Sequence, residues 1–253
     1  MLYKNYITEI HHNLGYIATW LPSVQMELGD VVTFGDAGFQ RVAGLKDFGI
    51  KFKTRSDTNL STYDYSSAGA VAIVANVGAQ ARIPGSKGGK PQAKVTVQFN
   101  RANAVVYHAV GCQASAIADQ DGLGREITFR YENDKWPKER FVVTELIKAR
   151  SATIVISGTA GAKLDLVAKG AIQASSINLA DVRAKLEIAS STNIGLQIVA
   201  QSDLTPMFRA SGMRLRFLRS AKFGNRGKSL TDKPTARERL AYEFVTPTML
   251  FKE

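Results

Sequence analysis

The feature that most restricts the fold of this sequence is an alternation of apolar and other residues that continues far beyond an ordinary strand. Across 152–168 every even position is Ala, Gly, Ile or Leu, and across 182–200 the even positions are again mostly apolar. Residues two apart in a strand share a face, so each segment predicts a strand with one apolar face. Strands in globular proteins usually have about 5–6 residues, much fewer than these segments.

The same pattern occurs earlier in the chain, over 67–83 and 93–100, where the odd positions are largely apolar. A turn rich in Gly, Lys and Pro separates these two segments at 84–91. We therefore predict two long amphipathic hairpins. The turn lacks the G-x-x-x-x-G-K-[ST] spacing and is not followed by a helix, which excludes a phosphate-binding loop.

Each of the four segments is long enough to cross a bilayer, because a tilted strand spans its core in about 9–11 residues. Four strands cannot close a water-filled barrel, so many chains must contribute. The alternative is a large soluble antiparallel sandwich with long strands, and it stays open. The predicted membrane-facing residues are Val71, Ile73, Val77, Val95, Val97, Phe99, Ile154, Ile156, Leu164, Leu166, Leu186, Ile188, Ile194, Leu196 and Ile198.

The charge of the chain indicates an anionic partner. Its 253 residues carry a net charge of +11, of which +7 comes from the acid-free run 204–231. Such a run is typical of a basic solvated face, of a lipid-binding surface or of a nucleic-acid patch. We take Arg209, Arg214, Arg216 and Arg219 as lipid-binding candidates, and keep a basic nucleic-acid-binding β-domain as the alternative function.

The composition argues against several other classes of protein. One cysteine and three histidines exclude an internal disulfide framework and make a metal centre unexpected, so we expect no cofactor. No serine–histidine–aspartate, cysteine–histidine or paired-carboxylate arrangement stands out, which predicts that the chain is not an enzyme. No apolar stretch reaches the length of a spanning helix, and the N-terminus does not read as a signal peptide. These observations predict a cytoplasmic protein.

The N-terminal region predicts two local elements. Residues 3–14 have an apolar stripe at helical spacing and end before Gly15, which predicts a docked amphipathic helix. Farther on, Phe34 and Phe39 flank a Gly/Asp turn. This turn is either an ordinary hairpin whose aromatic rings pack inward or a loop tip that anchors in a membrane.

Two segments resemble the gasdermin family. The sequence FVVTELI at 141–147 is similar to the V-V-T-E-V-L strand that enters the second membrane hairpin of gasdermin pore-forming domains. The sequence IASSTNIGL at 188–196 resembles the return strand of the same hairpin. The order of the first helix, the Trp20-Leu21-Pro22 segment and the first hairpin also matches, so the likeness covers about 1–210.

The resemblance implies an α+β fold, with a twisted, mostly antiparallel sheet, peripheral helices and two hairpins able to become transmembrane strands. It also implies that Lys135, Lys138 and Arg140, which precede the V-V-T-E strand, bind acidic phospholipid. The short chain is most similar to bacterial gasdermins, in which a protease removes a C-terminal inhibitory peptide. That likeness implies a homo-oligomeric β-barrel pore in the inner membrane, cell death as antiphage defence, and no nucleic-acid partner.

The domain organisation follows from the same resemblance. We expect a pore-forming domain at 1–221, a protease-accessible linker at 222–237 and a C-terminal inhibitory segment at 238–253. The linker is polar and contains Gly, Lys and Pro, which favours proteolysis. The last segment is apolar enough to dock on the body, either as an inhibitor or as an element that completes the fold.

Overall fold

The protein has an α+β fold, as predicted, with mostly antiparallel strands and a few peripheral helices. The computed structural model describes residues 1–35, 38–76, 93–168, 179–180, 185–217 and 238–251. Within these ranges the strands form one sheet of nine strands, the large sheet, and one of four, the small sheet. The strands of both sheets, in chain order, are β1 Ile17–Ala18, β2 Asp30–Gly35, β3 Gly38–Gly44, β4 Thr54–Ser56, β5 Ser61–Ser66, β6 Val71–Asn76, β7 Ala93–Phe99, β8 Val105–Ile117, β9 Phe141–Ser157, β10 Lys163–Ala168, β11 Leu186–Thr192, β12 Ile194–Phe217 and β13 Glu238–Phe244.

The large sheet is organised around the two longest strands, β9 and β12, which pair antiparallel from Ile194 opposite Ser157 to Gly212 opposite Phe141. The other edge of β9 pairs with β8 and, near its start, with β2. Strands β1 and β13 pair with β12, and β4 and β5 pair with β8. The hairpin β2–β3 completes this sheet.

The small sheet contains the described parts of both predicted hairpins, in the order β11–β10–β7–β6. Strand β7 matches the predicted segment 93–100, whereas the two segments of the second hairpin are interrupted and continue in the large sheet. The segment 152–168 is broken between β9 and β10, and the segment 182–200 is broken at Asn193 between β11 and β12. The predicted strand at 67–83 begins only at Val71.

We call the four interruptions the corners: 67–70, 100–104, 158–162 and residue 193. Backbone geometry explains why strands stop there. Gly69 and Gly161 have φ of 63° and 77°, and Asn193 has φ of 56°. A regular strand has negative φ, so these left-handed residues, a conformation that Gly and Asn favour, interrupt the regular strand geometry at the corners. Alternation alone gave no indication of these breaks.

In the described part of the chain, three helices and one 3₁₀ turn lie outside the sheets. Helix α1, Leu2–Leu14, confirms the predicted N-terminal helix and ends at Gly15, which has φ of 74°. Helix α2, Gln120–Glu132, is capped by the Asp119 carboxylate, which accepts a hydrogen bond from the Gly122 backbone N–H. Helix α3 is one turn, Pro247–Leu250, and the 3₁₀ turn is Leu45–Phe48.

Three apolar clusters hold these layers together. The first cluster lies between the large sheet and α1 and includes Ile7, Tyr107 and Ile154. The second cluster lies between the large and small sheets, and the third lies under α2. Ile154 belongs to the first cluster and its neighbour Val155 to the second, so α1 and the small sheet cover opposite faces of the large sheet.

Candidate membrane-inserting sheet and its corners

The small sheet has one apolar and one polar face, as the alternation predicts. Strand pairing sets Ile73 opposite Val97 and Val97 opposite Leu164, so these side chains share the apolar face. The neighbouring residues on the same three strands, Val74, Thr96 and Asp165, lie opposite one another on the polar face. The two predicted hairpins therefore meet in one sheet, with β7 of the first beside β10 of the second.

The apolar face is buried against the large sheet rather than exposed. Val95, Val97, Phe99, Leu164, Leu166 and Leu186 are buried in the second cluster, and Val71 packs beside it. Their partners from the large sheet include Val106 and Val155. On the outer strands the cover is incomplete, since Ile73 is 46% exposed and Ile188 is 44% exposed. In this fold, the predicted membrane-facing residues of the small sheet are thus mostly core residues.

The remaining predicted membrane-facing residues belong to the large sheet. Ile154, Ile156 and Ile198 are buried in the first cluster, with Leu196 packed against it. Ile194, directly after a corner, packs against the second cluster instead. Val77 lies outside the described residues. The structure therefore divides the predicted set between two cores that lie on opposite faces of the large sheet.

Asp165 is the centre of the polar face. The residue is 7% exposed, and its carboxylate accepts hydrogen bonds from the Thr96 hydroxyl at 2.7 Å and the Ser190 hydroxyl at 3.0 Å. The ammonium groups of Lys94 and Lys163 lie 3.2 and 3.5 Å from Oδ2. Burial acts to raise the pKa of Asp165, but the hydrogen bonds from Thr96, Ser190 and Lys94 outweigh it and lower the pKa to about 2.

Hydrogen bonds connect the four corners into one line. The Ser157 hydroxyl donates to the Arg101 carbonyl at 2.8 Å and accepts from the Ala104 N–H at 2.8 Å. The Gly158 N–H donates to the Asn193 carbonyl at 2.8 Å. The Asn100 side chain donates to the carbonyl of Gly69 at 2.7 Å. All four strands thus turn from one sheet to the other along a single bonded line.

Helix α1 contacts this line through Glu9. Its Oε1 accepts hydrogen bonds from the Tyr65 hydroxyl at 2.7 Å and from the Ser67 hydroxyl, and lies 3.2 Å from Nη2 of Arg101. Ser67 and Arg101 belong to two different corners. Burial and the hydrogen bond to Glu9 raise the pKa of Tyr65 to about 12. We call this arrangement the Glu9 clasp.

Arg209, a predicted lipid-binding residue, is held at the surface of the fold by several contacts, with 39% of its side chain exposed. Its guanidinium lies 3.1 Å from Glu145, donates to the Gly15 carbonyl and stacks over the Tyr16 ring with its central carbon 4.3 Å from the ring centroid. The Tyr16 hydroxyl donates to the same Glu145 carboxylate at 2.6 Å. Burial and that bond raise the pKa of Tyr16. In this conformation Arg209 joins the end of α1 to the large sheet.

The other predicted lipid-binding residues have different surroundings. Lys135 and Lys138 are exposed on the turn between α2 and β9, and the half-buried Arg140 stacks on Phe48, 5.3 Å from its ring centroid. Phe48 in turn packs on the buried Trp136. The described structure contains only the backbone of Arg214 and Arg216, within β12, and Arg219 lies outside the described residues.

The two phenylalanines of the N-terminal turn pack inward. Phe34 and Phe39 face each other across β2 and β3, with ring centroids 4.8 Å apart. Phe39 is 6% exposed and packs on Phe208. This is the arrangement of the ordinary hairpin interpretation, and in this conformation neither ring is free to enter a membrane.

The C-terminal residues dock beside this hairpin. The Phe251 ring lies 5.5 Å from Phe34 and 6.0 Å from Tyr3 of α1, measured between centroids, and the Lys4 ammonium lies 5.5 Å from the Phe251 centroid. Val245 is buried in the first cluster, and β13 pairs with β12 from Ser211 to Phe217. The predicted linker at 222–237 lies outside the described residues.

Glu9 and Asp165 are functional candidates that sequence reasoning did not select. Both form contacts with residues remote in sequence, and these contacts cannot be deduced from local pattern. Asp165 had one usable signal, because it is the only acidic residue in the alternating segment 152–168. A lone carboxylate on the polar face of a long strand calls for cations or hydroxyl groups on its neighbours.

Metal-binding clusters and membrane-spanning helices are both absent from the described residues. No group of three or more histidine, cysteine, aspartate or glutamate side chains there has an arrangement that would hold a metal ion. Within the same ranges, none of the helices combines the length and apolar character needed to cross a membrane.

Comparison with known proteins gives a structural likeness at low sequence identity. No family model and no curated protein matches the sequence. The fold is similar to the cryo-EM structure of the gasdermin A3 membrane pore, with 12% sequence identity and a TM-score of 0.35. The match covers 86% of this chain and 91% of that chain. With so low a TM-score, we base no functional argument on this likeness.

Proposed function

We propose that this protein forms pores in membranes that contain acidic phospholipid. After proteolytic release of the C-terminal segment, the corners straighten and each broken strand becomes one continuous transmembrane strand. Many copies of the chain then contribute four strands each to a shared β-barrel. The protein is cytoplasmic before activation and lies in the inner membrane afterwards, where the pore kills the cell as a defence against phage.

One observation carries the proposal: the alternation keeps its phase across the corners. Val97 on β7 and Tyr107 on β8 both have odd residue numbers, yet Val97 faces the second cluster and Tyr107 faces the first. Ile156 on β9 and Leu166 on β10 are both even and are divided in the same way. In one straight strand, residues of equal parity share a face. Straightening therefore places residues such as Val97, Tyr107, Ile156 and Leu166 on a single face of each strand, while Val106 and Val155 lie on the opposite face.

A purely soluble fold has no need for this phase relationship. Each sheet requires alternation only within its own strands, and the irregular residues of 100–104 or 158–162 could change the parity without cost. The sandwich interpretation accounts for the packing of the small sheet on the large sheet through the second cluster. It does not account for matched parity on the two sides of the corners. A continuous strand with one lipid-facing side does.

The exchange of partners is physically balanced. In the folded protein the apolar face of the small sheet is covered by the large sheet, through residues such as Val106 and Val155. Lipid chains replace that cover in the barrel, so the apolar face of the small sheet is not returned to water, although Val106 and Val155 themselves turn to the opposite side. The polar face with Asp165 then lines the water-filled interior, as the alternation of barrel strands requires.

The contacts of the C-terminal segment support a role in control. Phe251 packs on Tyr3 and Phe34, and Val245 is buried beneath the large sheet. These contacts join the segment to α1, which also carries the Glu9 clasp. A tether keeps the segment at an effective concentration of roughly millimolar, and cleavage in 222–237 removes that advantage. Release of the segment would therefore loosen α1 and, through it, the corners.

Basic residues supply the first encounter with the membrane. Lys135 and Lys138 are exposed, and a Lys or Arg near an anionic leaflet contributes about 1 kcal/mol. Arg209 becomes available only after its contacts with Glu145 and Gly15 break. An acidic phospholipid surface is therefore the proposed partner, together with an activating protease and further copies of this chain. We propose neither an enzymatic activity nor a nucleic-acid partner.

The matched pair Ile73 and Val74 tests the proposal. They are adjacent on β6, 46% and 48% exposed, and lie on opposite faces of the small sheet. We therefore expect the folded protein to tolerate aspartate at either position. Only Ile73→Asp places a charge on the lipid face, at a cost on the order of 2 kcal/mol that recurs in every subunit. We expect it to abolish pore formation, and Val74→Asp to retain it.

The assay is dye release from liposomes. For this assay, the recognition sequence of a site-specific protease is introduced within 222–237 of the full chain. Each variant is tested before and after cleavage, on vesicles with acidic lipid and on vesicles without it. Release that depends on cleavage and acidic lipid, and that Ile73→Asp alone removes, supports the proposal. Equal release by the two variants would contradict the assigned faces. No release by the cleaved wild-type chain, together with salt-sensitive retention of nucleic acid, would favour the alternative function.

A further inference from the structure

The two hairpins are already joined before any activation. Strand β7 of the first hairpin and β10 of the second pair antiparallel over six residues, from Gln98 opposite Lys163 to Ala93 opposite Ala168. No rearrangement is needed to bring them together. The four strands β11–β10–β7–β6 form one hydrogen-bonded sheet in the folded protein.

Asp165 lies at the junction of these hairpins. Through its carboxylate it binds Thr96 and Lys94 on β7, Ser190 on β11 and Lys163 on its own strand. It is therefore bonded to both hairpins across both edges of β10. Thr96 is 8% exposed, so the Thr96–Asp165 contact is largely shielded from water. Hydrogen bonds to an ionised group are stronger than neutral ones, and shielding strengthens them further.

The apolar face of the sheet does not define its register uniquely. A slip of one residue would exchange the two faces and is excluded by the pattern. A slip of two residues keeps the faces and moves Leu166 from Val95 to Val97, an equivalent apolar contact. The same slip moves Asp165 from Thr96 to Gln98, and separates the carboxylate from its hydroxyl donor. Asp165 therefore distinguishes the observed register from a slipped one that keeps the same apolar face.

We propose that the two hairpins act as one preformed four-stranded unit and that Asp165 is the positioning residue that fixes its register. Its role in pore formation rests on the function proposed above. Because the polar face becomes the water-filled side of the barrel, the Asp165 contacts do not have to break when the corners straighten. The register of the small sheet is then the register of the pore.

The first test measures register in solution, without membranes. Gln98→Cys with Lys163→Cys forms a disulfide across the two hairpins only in the observed register, in a Cys112→Ala background that removes the native thiol. Adding Asp165→Ala is expected to reduce the yield of this disulfide at least twofold, because slipped molecules separate the two thiols.

The control lies in the same row of the sheet. Ala72 pairs with Gln98 inside the first hairpin, and a disulfide between cysteines at these positions does not depend on the contact between hairpins. Its yield should be unchanged by Asp165→Ala. A fall in both yields would show general loss of structure, and an unchanged yield across the hairpins would show that Asp165 does not fix the register. Either result would overturn its assigned role.

The second test asks whether the unit inserts intact. The full chain with the disulfide between the cysteines introduced at positions 98 and 163 is cleaved in 222–237. It is then added to acidic liposomes under oxidising conditions. We expect release of dye within twofold of the reduced form. The opposite result would be a loss of dye release that a reductant restores, while the protein with the control disulfide between positions 72 and 98 releases dye normally. That result would show that the hairpins must separate. If the cleaved wild-type chain releases no dye, the proposed function is refuted. The first test would still decide the role of Asp165, because it needs no membrane.

Discussion

The pKa of Asp165 leads to a quantitative prediction about acid stability. Contacts in the folded protein lower this pKa from its ordinary value of 3.8 to about 2. Burial works in the opposite direction and is outweighed by the hydrogen bonds from Thr96, Ser190 and Lys94. A group whose pKa is lowered on folding stabilises the protein above its unfolded pKa, and that contribution is lost as the pH falls through the folded pKa.

The size of the effect follows from the two pKa values. At about 1.4 kcal/mol for each pH unit, the difference between 3.8 and about 2 corresponds to about 2 kcal/mol of unfolding free energy. The contribution is complete above about pH 5 and is lost between that pH and about pH 2. Asp165→Asn removes the titrating group. The variant is therefore expected to lack this part of the acid destabilisation, so its difference from the wild type shrinks as the pH falls.

The assay is urea denaturation of both proteins at pH 7, 4 and 2.5, followed by circular dichroism. The decisive quantity is the difference in unfolding free energy between them, because all other carboxylates titrate equally in both. Asp64→Asn is the control, since that carboxylate is 73% exposed and an exposed pair contributes little. A wild-type-to-Asp165→Asn difference that stays constant with pH would refute the reasoning, because the carboxylate would then not be held by charge-dependent contacts.

Two further predictions concern control of the pore. Glu9→Gln weakens the clasp on Arg101 and should shorten the half-time of dye release after cleavage severalfold, whereas Glu126→Gln, which removes a similar ion pair on α2, should not. A shorter half-time for Glu9→Gln than for Glu126→Gln supports a restraining role of the Glu9 clasp, and equal half-times would contradict it. Phe251→Ala removes the aromatic contacts with α1 and should permit dye release without cleavage. The control, Phe244→Ala, changes a residue that is 50% exposed and should cause no release before cleavage. If neither uncleaved variant releases dye, Phe251 does not restrain α1.

Local pattern determined several elements of this protein. The stripe of α1 and the stop at Gly15 are contained within one short segment, and the helix forms as predicted. The parity of the alternating segments defined which side chains share a face within each strand, because a side chain's direction depends only on its position in the strand. The antiparallel, mostly β character of the fold followed from the same segments. Helix α2 was missed because Gly122 and Gly124 weaken its helical pattern.

Tertiary structure decided where each alternating segment turns and what its faces meet. Both sides of a corner have the same parity, so the pattern cannot show that Ile156 and Leu166 lie in different cores. The Glu9 clasp and the Asp165 contacts join residues far apart in sequence, such as Glu9 with Arg101 and Asp165 with Thr96. Such contacts exist only after the chain has brought distant strands together. Their geometry, rather than any local preference, defines the corners and the register of the small sheet.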